Sequence, residues 1–205
     1  MNNYKKILIT TVCLMSFACS GPQTIPSDKF YRLNISGPET AGEYLINGKL
    51  SVAKFSADAL HSERALVYTR SDMNLALNQY HYHYWIDAPT SMIQHELAIF
   101  LKKSKIAPLI FTSDITSDYD YQLKGNILRF ERIADTNEVD IEIEVNFIRK
   151  DTGDLLLSKR YRETIKAGDN ELTTTVHYMG IGVTSIFNEI VRDISNTCNI
   201  TRKCS

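Results

Sequence analysis

The chain carries almost no surplus charge of either sign: 23 lysines and arginines stand against 24 aspartates and glutamates, a formal charge of −1. So small an imbalance supplies no electrostatic footprint for nucleic acid and no basic face for anionic lipid. Signatures of catalysis are missing as well. There is no glycine-rich phosphate loop, no dinucleotide fingerprint and no G-x-S-x-G around any serine. Nucleotide-dependent chemistry and the common hydrolase designs therefore have nothing to stand on, and no cofactor is implied. A long hydrophobic run is also lacking, because the apolar segment at residues 7–17 is too short to span a bilayer. Cysteine is scarce, with four residues at positions 13, 19, 198 and 204.

What is present begins with that apolar segment. It follows Lys5 and Lys6 and ends at Ala18, a small residue directly before Cys19. A basic start, an apolar middle and a small-residue boundary are the parts of a secretory signal peptide over residues 1–18. The cysteine at the boundary reads as a lipobox, in which the Cys19 thiol receives diacylglycerol and becomes the mature N-terminus. Ser16 and Phe17 depart from the aliphatic-then-small pattern that usually precedes such a cysteine. The alternative is thus an ordinary signal peptide cleaved nearby. Residues 19–28 form a polar, helix-breaking tether around Gly21, Pro22 and Pro26. Ser20, where an aspartate would favour inner-membrane retention, points to the outer membrane. Residues 29–197 are long enough for one domain with a real core. In the 198–205 tail, Cys198 and Cys204 make an even pair in an oxidising compartment, which reads most simply as a disulfide. Free thiols and a metal site are the alternatives, the latter wanting two more ligands.

Periodicity outlines the elements. Short strands are predicted at residues 30–33 and 65–68, and residues 43–55 read as a hairpin or a bulged strand around Asn47-Gly48. Residues 75–85 are strand-like, with Tyr80, Tyr82 and Tyr84 on one face and Gln79, His81 and His83 on the other. Asp87-Ala88-Pro89 starts a helix whose apolar positions are Met92, Ile93, Leu97, Phe100 and Leu101. Further strands are predicted at 109–112, at 119–130 with a bulge at Gly125, at 139–147 and at 155–165. The 139–147 strand alternates most cleanly, Val139, Ile141, Ile143, Val145 and Phe147 facing a core and Asp140, Glu142 and Glu144 facing water. A long amphipathic helix covers residues 171–196, with a kink or close contact expected at Gly180 and Gly182. The fold class is α+β: a single domain whose mixed, mostly antiparallel sheet carries two amphipathic helices on one face.

Candidate chemistry is sparse. His81 and His83 stand at H-x-H spacing, which on a regular strand places two imidazoles on one face, as some zinc and copper sites begin. A third ligand could come from His61, His95 or an acidic residue, but no spacing fixes one, and the alternative is a solvent-facing pair; no metal is assigned. The pairs Asp118/Asp120 and Glu142/Glu144 read as wet strand faces rather than as an acid and a base. Tyr80, Tyr82, Tyr84 and Trp85, packed into six positions, suit either a core or a protein interface.

The chain resembles the ABC-type transport auxiliary lipoproteins, including the paraquat-inducible protein C type that accompanies MCE-domain lipid-transfer systems. The resemblance rests on Cys19 with its tether, on Phe30-Tyr31-Arg32-Leu33 and on Leu66-Val67-Tyr68-Thr69-Arg70. It continues through the run from Tyr80 to Pro89, Tyr121-Gln122-Leu123-Lys124-Gly125-Asn126-Ile127 with Phe130, and the closing amphipathic helix. It implies a non-catalytic envelope lipoprotein with Cys19 as its diacylglycerol- and palmitate-bearing anchor in the outer membrane, facing the periplasm. Implied partners are an MCE-domain periplasmic protein, an inner-membrane ABC transporter or permease, and further copies of the chain. Tyr82, Tyr84 and Trp85 would contribute to the core or to a partner surface. The competing reading is a lipoprotein that holds a lipid or small ligand between sheet and helices.

Overall fold

The computed structural model describes residues 26–38, 44–73, 75–113, 118–201 and 204. The predicted leader at 1–18, the expected lipidation site Cys19 and most of the expected 19–28 tether lie outside these residues. In chain order the elements are β1 (Lys29–Tyr31), β2 (Lys49–Val52), β3 (Ser56–Ala57), β4 (Ala65–Thr69), a 3-10 turn at Ser71–Met73 and β5 (Asn78–Trp85). Then come α1 (Pro89–Lys103), β6 (Leu109–Thr112), β7 (Tyr121–Ile133), β8 (Glu138–Arg149), β9 (Leu155–Lys166) and α2 (Leu172–Thr201). This is an α+β domain with a mixed sheet and two helices.

β7 is the spine of the sheet. One edge takes β8 antiparallel along nearly its whole length, and β8 in turn takes β9. The other edge carries β2, β3 and β4 one after another, all parallel to it. β2 continues outward to β6, whereas β4 continues to β5 and then β1. Beyond β7 the sheet therefore forks into two branches. The long ladders are antiparallel and the short ones mostly parallel. Strict alternation on β8 makes this work: Val139, Ile141, Ile143, Val145 and Phe147 are fully buried on one face.

The two helices cover that face. Pro89 occupies the first turn of α1, where its missing N–H would have had no helical partner anyway. Lys102 and Lys103 lie in the last turn, at the negative end of the helix dipole. The buried stripe of α1 meets that of α2 where the Phe100 and Phe187 rings pack edge to face, 5.4 Å between centroids. On the sheet side, Trp85 lies 5.2 Å from Phe130 and Tyr121 5.5 Å from Phe147. These side chains belong to one continuous core.

Glycines mark the tightest approaches. A Cβ on Gly180 would fall 2.3 Å from the Asn34 carbonyl oxygen, so the segment after β1 crosses α2 in direct backbone contact. Leu33 is buried there, and the Ser36 N–H donates to Thr184 Oγ1 at 3.2 Å. Gly182 admits the Ile141 side chain in the same way. The helix runs unbroken through both glycines, so close contact rather than a kink explains them.

Three local expectations need correction. Of the 43–55 segment, the described residues 44–55 form neither a hairpin nor a bulged strand. Leu45 and Ile46 both donate their N–H groups to the Ile106 carbonyl, the chain bends at Gly48, and only then does β2 begin. Its partners are β6 and β7, so the strand answers to the sheet and not to its own neighbours in sequence. The bulge on β7 falls between Ile127 and Arg129 rather than at Gly125. Gly125 serves another purpose: the Phe55 ring lies on it, and a Cβ would sit 2.0 Å from that ring. Finally, α2 runs on to Thr201, past the expected end at 196.

Candidate functional site

β5 carries the aromatic residues singled out in the sequence, and regular alternation fails in its middle. Between the pairs Val67–Gln79 and Ala65–Tyr84, β4 advances two residues and β5 five. The surplus is a wide bulge, and inside it Tyr82 adopts a left-handed conformation with φ 64°. For a residue with a side chain that conformation costs about 1 kcal/mol. It also redistributes the faces. Tyr80 and His83 come together, 6.2 Å between ring centroids, instead of pointing apart. Tyr31 stacks on His83 and donates its hydroxyl to His83 Nδ1 at 2.7 Å. Burial and the Lys29 charge hold the His83 imidazole below its ordinary pKa, so it stays neutral and can accept that bond. His81 remains exposed beside Tyr82. The two histidines thus have different surroundings, and among the described residues no group of three or more His, Cys, Asp or Glu could hold a metal ion.

The four aromatic candidates also separate. Trp85 is 1 % exposed and belongs to the core. Tyr80 is half-buried, packed on Tyr68 at 4.5 Å, with its hydroxyl accepting from Arg132 Nη1 at 3.2 Å. Tyr82 is 41 % exposed. Tyr84 is partly exposed and lies 5.9 Å from Phe30, an edge-strand residue that is itself 57 % exposed. Arg64 sits over the Phe30 ring at 5.4 Å and donates from Nε to the Trp85 carbonyl. Tyr82, Tyr84 and Phe30, with exposed Ile86 just beyond β5, make an aromatic edge at the end of one branch of the sheet. Amphipathic rings of this kind suit contact with another protein.

Sequence reading missed a buried polar array on the sheet face opposite the helices. The loop between β3 and β4 folds over this face and delivers His61, 2 % exposed, to the carboxylates. His61 Nδ1 lies 2.9 Å from Asp58 Oδ2, and Nε2 lies 2.9 Å from Glu131 Oε2. With a carboxylate at each ring nitrogen, both nitrogens must donate, which makes the ring an imidazolium. Burial alone would lower its pKa, but the bonds to Glu131 and Asp58 outweigh that and raise it. Beside it, Asp140 is 1 % exposed under Arg162, which grips it through Nε and Nη2 at 2.9 and 2.8 Å. Arg129 links Glu131, Asp140 and Glu142. Asp140, read from its alternation as facing water, is thus covered, while Glu144 pairs with Arg160. Asp118 pairs with Lys49, and Asp120 accepts the Lys49 N–H. Every one of these carboxylates has a basic partner or a backbone donor. The array acts as a structural clamp that ties the β3–β4 loop to β7 and β8 to β9.

At the other end of the molecule Cys198 and Cys204 are joined, with Cα atoms 5.1 Å apart. The Cys204 carbonyl accepts the Asn47 N–H at 2.9 Å, which ties the end of α2 to the entry of β2. No described helix is long and apolar enough to cross a membrane.

Comparison with known proteins places this architecture. No curated protein matches the chain in sequence. Among solved structures, a Xanthomonas campestris protein superposes with a TM-score of 0.74 at 16% identity, over 85% of this chain and 99% of its own. An uncharacterised protein gives 0.67 at 16% identity, over 83% of this chain and 100% of its own. A hypothetical protein from Chlamydia trachomatis gives 0.50 at 11% identity, over 75% and 99%. At such identities these likenesses speak to the fold alone. The family model for the ABC-type transport auxiliary lipoprotein component matches residues 31–191, from the β1 edge to the last turns of α2. The chain therefore belongs to the ABC-type transport auxiliary lipoprotein family.

Proposed function

We propose that the protein is a non-catalytic envelope lipoprotein, held to the outer membrane through Cys19, that serves as the auxiliary component of an ABC/MCE-type intermembrane lipid transport system. Its partners are an MCE-domain periplasmic protein and an inner-membrane ABC transporter or permease, with further copies of the chain alongside. The observation that carries this reading is the family match across residues 31–191. The structure supports it at one point in particular. Tyr82 is kept in a left-handed conformation although glycine would sit there without strain, and its ring is turned outward. Strain retained at an exposed aromatic residue marks a contact site more readily than a core requirement. We assign Tyr82, Tyr84 and Phe30 to the partner surface, and Trp85 to its support.

The competing reading, an apolar ligand held between sheet and helices, meets a filled interior. Trp85, Phe100, Phe130, Phe147 and Phe187 occupy that space and are almost wholly buried. The test is photo-crosslinking from position 82 in intact cells. Crosslinks from position 82 to an MCE-domain protein, absent from exposed Lys166 on β9 at the far edge of the sheet, are the expected result. Crosslinks from neither position, or equally from both, contradict the assignment.

A further inference from the structure

The fork in the sheet opens a cleft of about 760 Å3. The ends of β1, β2, β5 and β6 converge on it together with the first turns of α1. In open sheets ligands gather where neighbouring strands diverge, because strand ends present backbone and side-chain groups that the sheet no longer uses.

The lining is chemically specific. Arg32 and Lys54 both face the cleft, and neither has a hydrogen bond or ion pair among the described residues. Their charges are available to an oxyanion, and the N-terminal half of α1 adds the positive end of its dipole. Gln94 is 7 % exposed, and its Nε2 donates to the Val52 carbonyl at 2.9 Å. A carbonyl only accepts, so that bond fixes which end of the amide is which. Oε1 is left as a preset acceptor with no partner among the described residues. The Asp87 and Glu96 carboxylates line the same cleft, and Ile86, 42 % exposed, gives it an apolar lip. Two cations free among the described residues, next to three acceptor groups, suit a ligand that carries a negative and a positive group close together.

We propose that this cleft binds a zwitterionic phosphodiester bearing a primary amine, of the phosphoethanolamine type. Arg32 and Lys54 hold the phosphate, while Gln94 Oε1 and the two carboxylates take the ammonium N–H groups. This assignment rests on the cleft's own chemistry and stands or falls apart from the transport role. The same headgroup occurs on a free small molecule and on a membrane lipid, and the experiment separates the two.

Full-length protein in detergent micelles is titrated calorimetrically with glycerophosphoethanolamine, glycerophosphocholine and inorganic phosphate, and then with phosphatidylethanolamine in mixed micelles. Glycerophosphocholine keeps the charges but has no N–H to donate, so it is expected to bind at least about tenfold more weakly, as is phosphate alone. The Arg32→Gln/Lys54→Gln variant changes two exposed, unpartnered side chains. It should melt like the wild type and lose binding by tenfold or more, again by the weight of a charged hydrogen bond. Equal binding of the soluble diester and the lipid identifies a free ligand, and tighter binding of the lipid identifies a membrane source; both support the cleft. Equal affinity for the ethanolamine and choline forms, undiminished binding by the variant, or no binding of either headgroup form overturns it.

Discussion

His61 holds a loop onto the sheet by standing between two carboxylates, one of them as buried as the ring itself. Replacing it with glutamine removes the buried cation and leaves Glu131 with only the partly exposed Arg129 as counter-charge. Denaturant unfolding at neutral pH should show a loss of about 3 kcal/mol. The pH dependence has a definite sign. Because the His61 pKa is raised, its contribution is complete below the ordinary histidine value of about 6.5 and is lost as pH rises through the raised one. Burial pushes Asp58 upward, but bonds from the His61 backbone and ring bring it below the usual carboxylate range. Its contribution is complete above about pH 3.9 and is lost as pH falls through the lowered value. Melting curves across pH should fall at both ends, with the alkaline limb flattened in His61→Gln; an unchanged alkaline limb would count against the imidazolium. Gly125→Ala makes a separate point, since its methyl group would enter the Phe55 ring. A loss of about 1–3 kcal/mol is expected from overpacking, measured by urea unfolding. Neither role was legible in the sequence. A lone histidine 70 positions from its glutamate has no spacing signature, and Gly125 looked like a bulge because a ring supplied from Phe55 cannot be read from the strand that receives it.

Elements whose neighbours share their period were legible. β8 alternates because both of its partners are long and one face is wholly covered, and the α1 and α2 stripes follow the same logic at helical spacing. β5 was not, because its alternation is broken by a single left-handed residue that no composition signal announces. Relieving that conformation gives a test at this scale. Tyr82→Gly should leave the protein as stable or up to about 1 kcal/mol more stable in thermal melts, and should recover less of its partner in a crosslinking pull-down. A destabilised variant would mean that the ring is needed for the fold and not for contact. The junction between α2 and β2 is a second element with a measurable role. The bond between Cys198 and Cys204 closes a short loop, so reduction should lower stability by about 2 kcal/mol, read as the difference between melts with and without a thiol reductant. The pairing of these cysteines could be anticipated from their even number and the expectation of an oxidising compartment. The tie from Cys204 to Asn47 could not, since it depends on where the helix ends.

At the scale of the molecule, the fold class followed from counting periodic segments, and the family from the order of short motifs along the chain. The fork in the sheet did not, because it arises from three short parallel strands sharing one edge of β7. Local sequence says where a strand is but not which edge it joins. The fork separates the aromatic edge at β1 and β5 from the branch ending in β6, with the cleft between them. On this account the anchor at Cys19 places the domain in the envelope and the aromatic edge engages the transport machinery. The most direct test is a crosslinking pull-down from membranes of wild type beside Cys19→Ala. The account predicts that an MCE-domain protein and an ABC transporter are recovered with the wild type and lost with Cys19→Ala, which leaves the membrane fraction. Recovery of neither from wild type, or of both in equal amount from the unanchored variant, would contradict it.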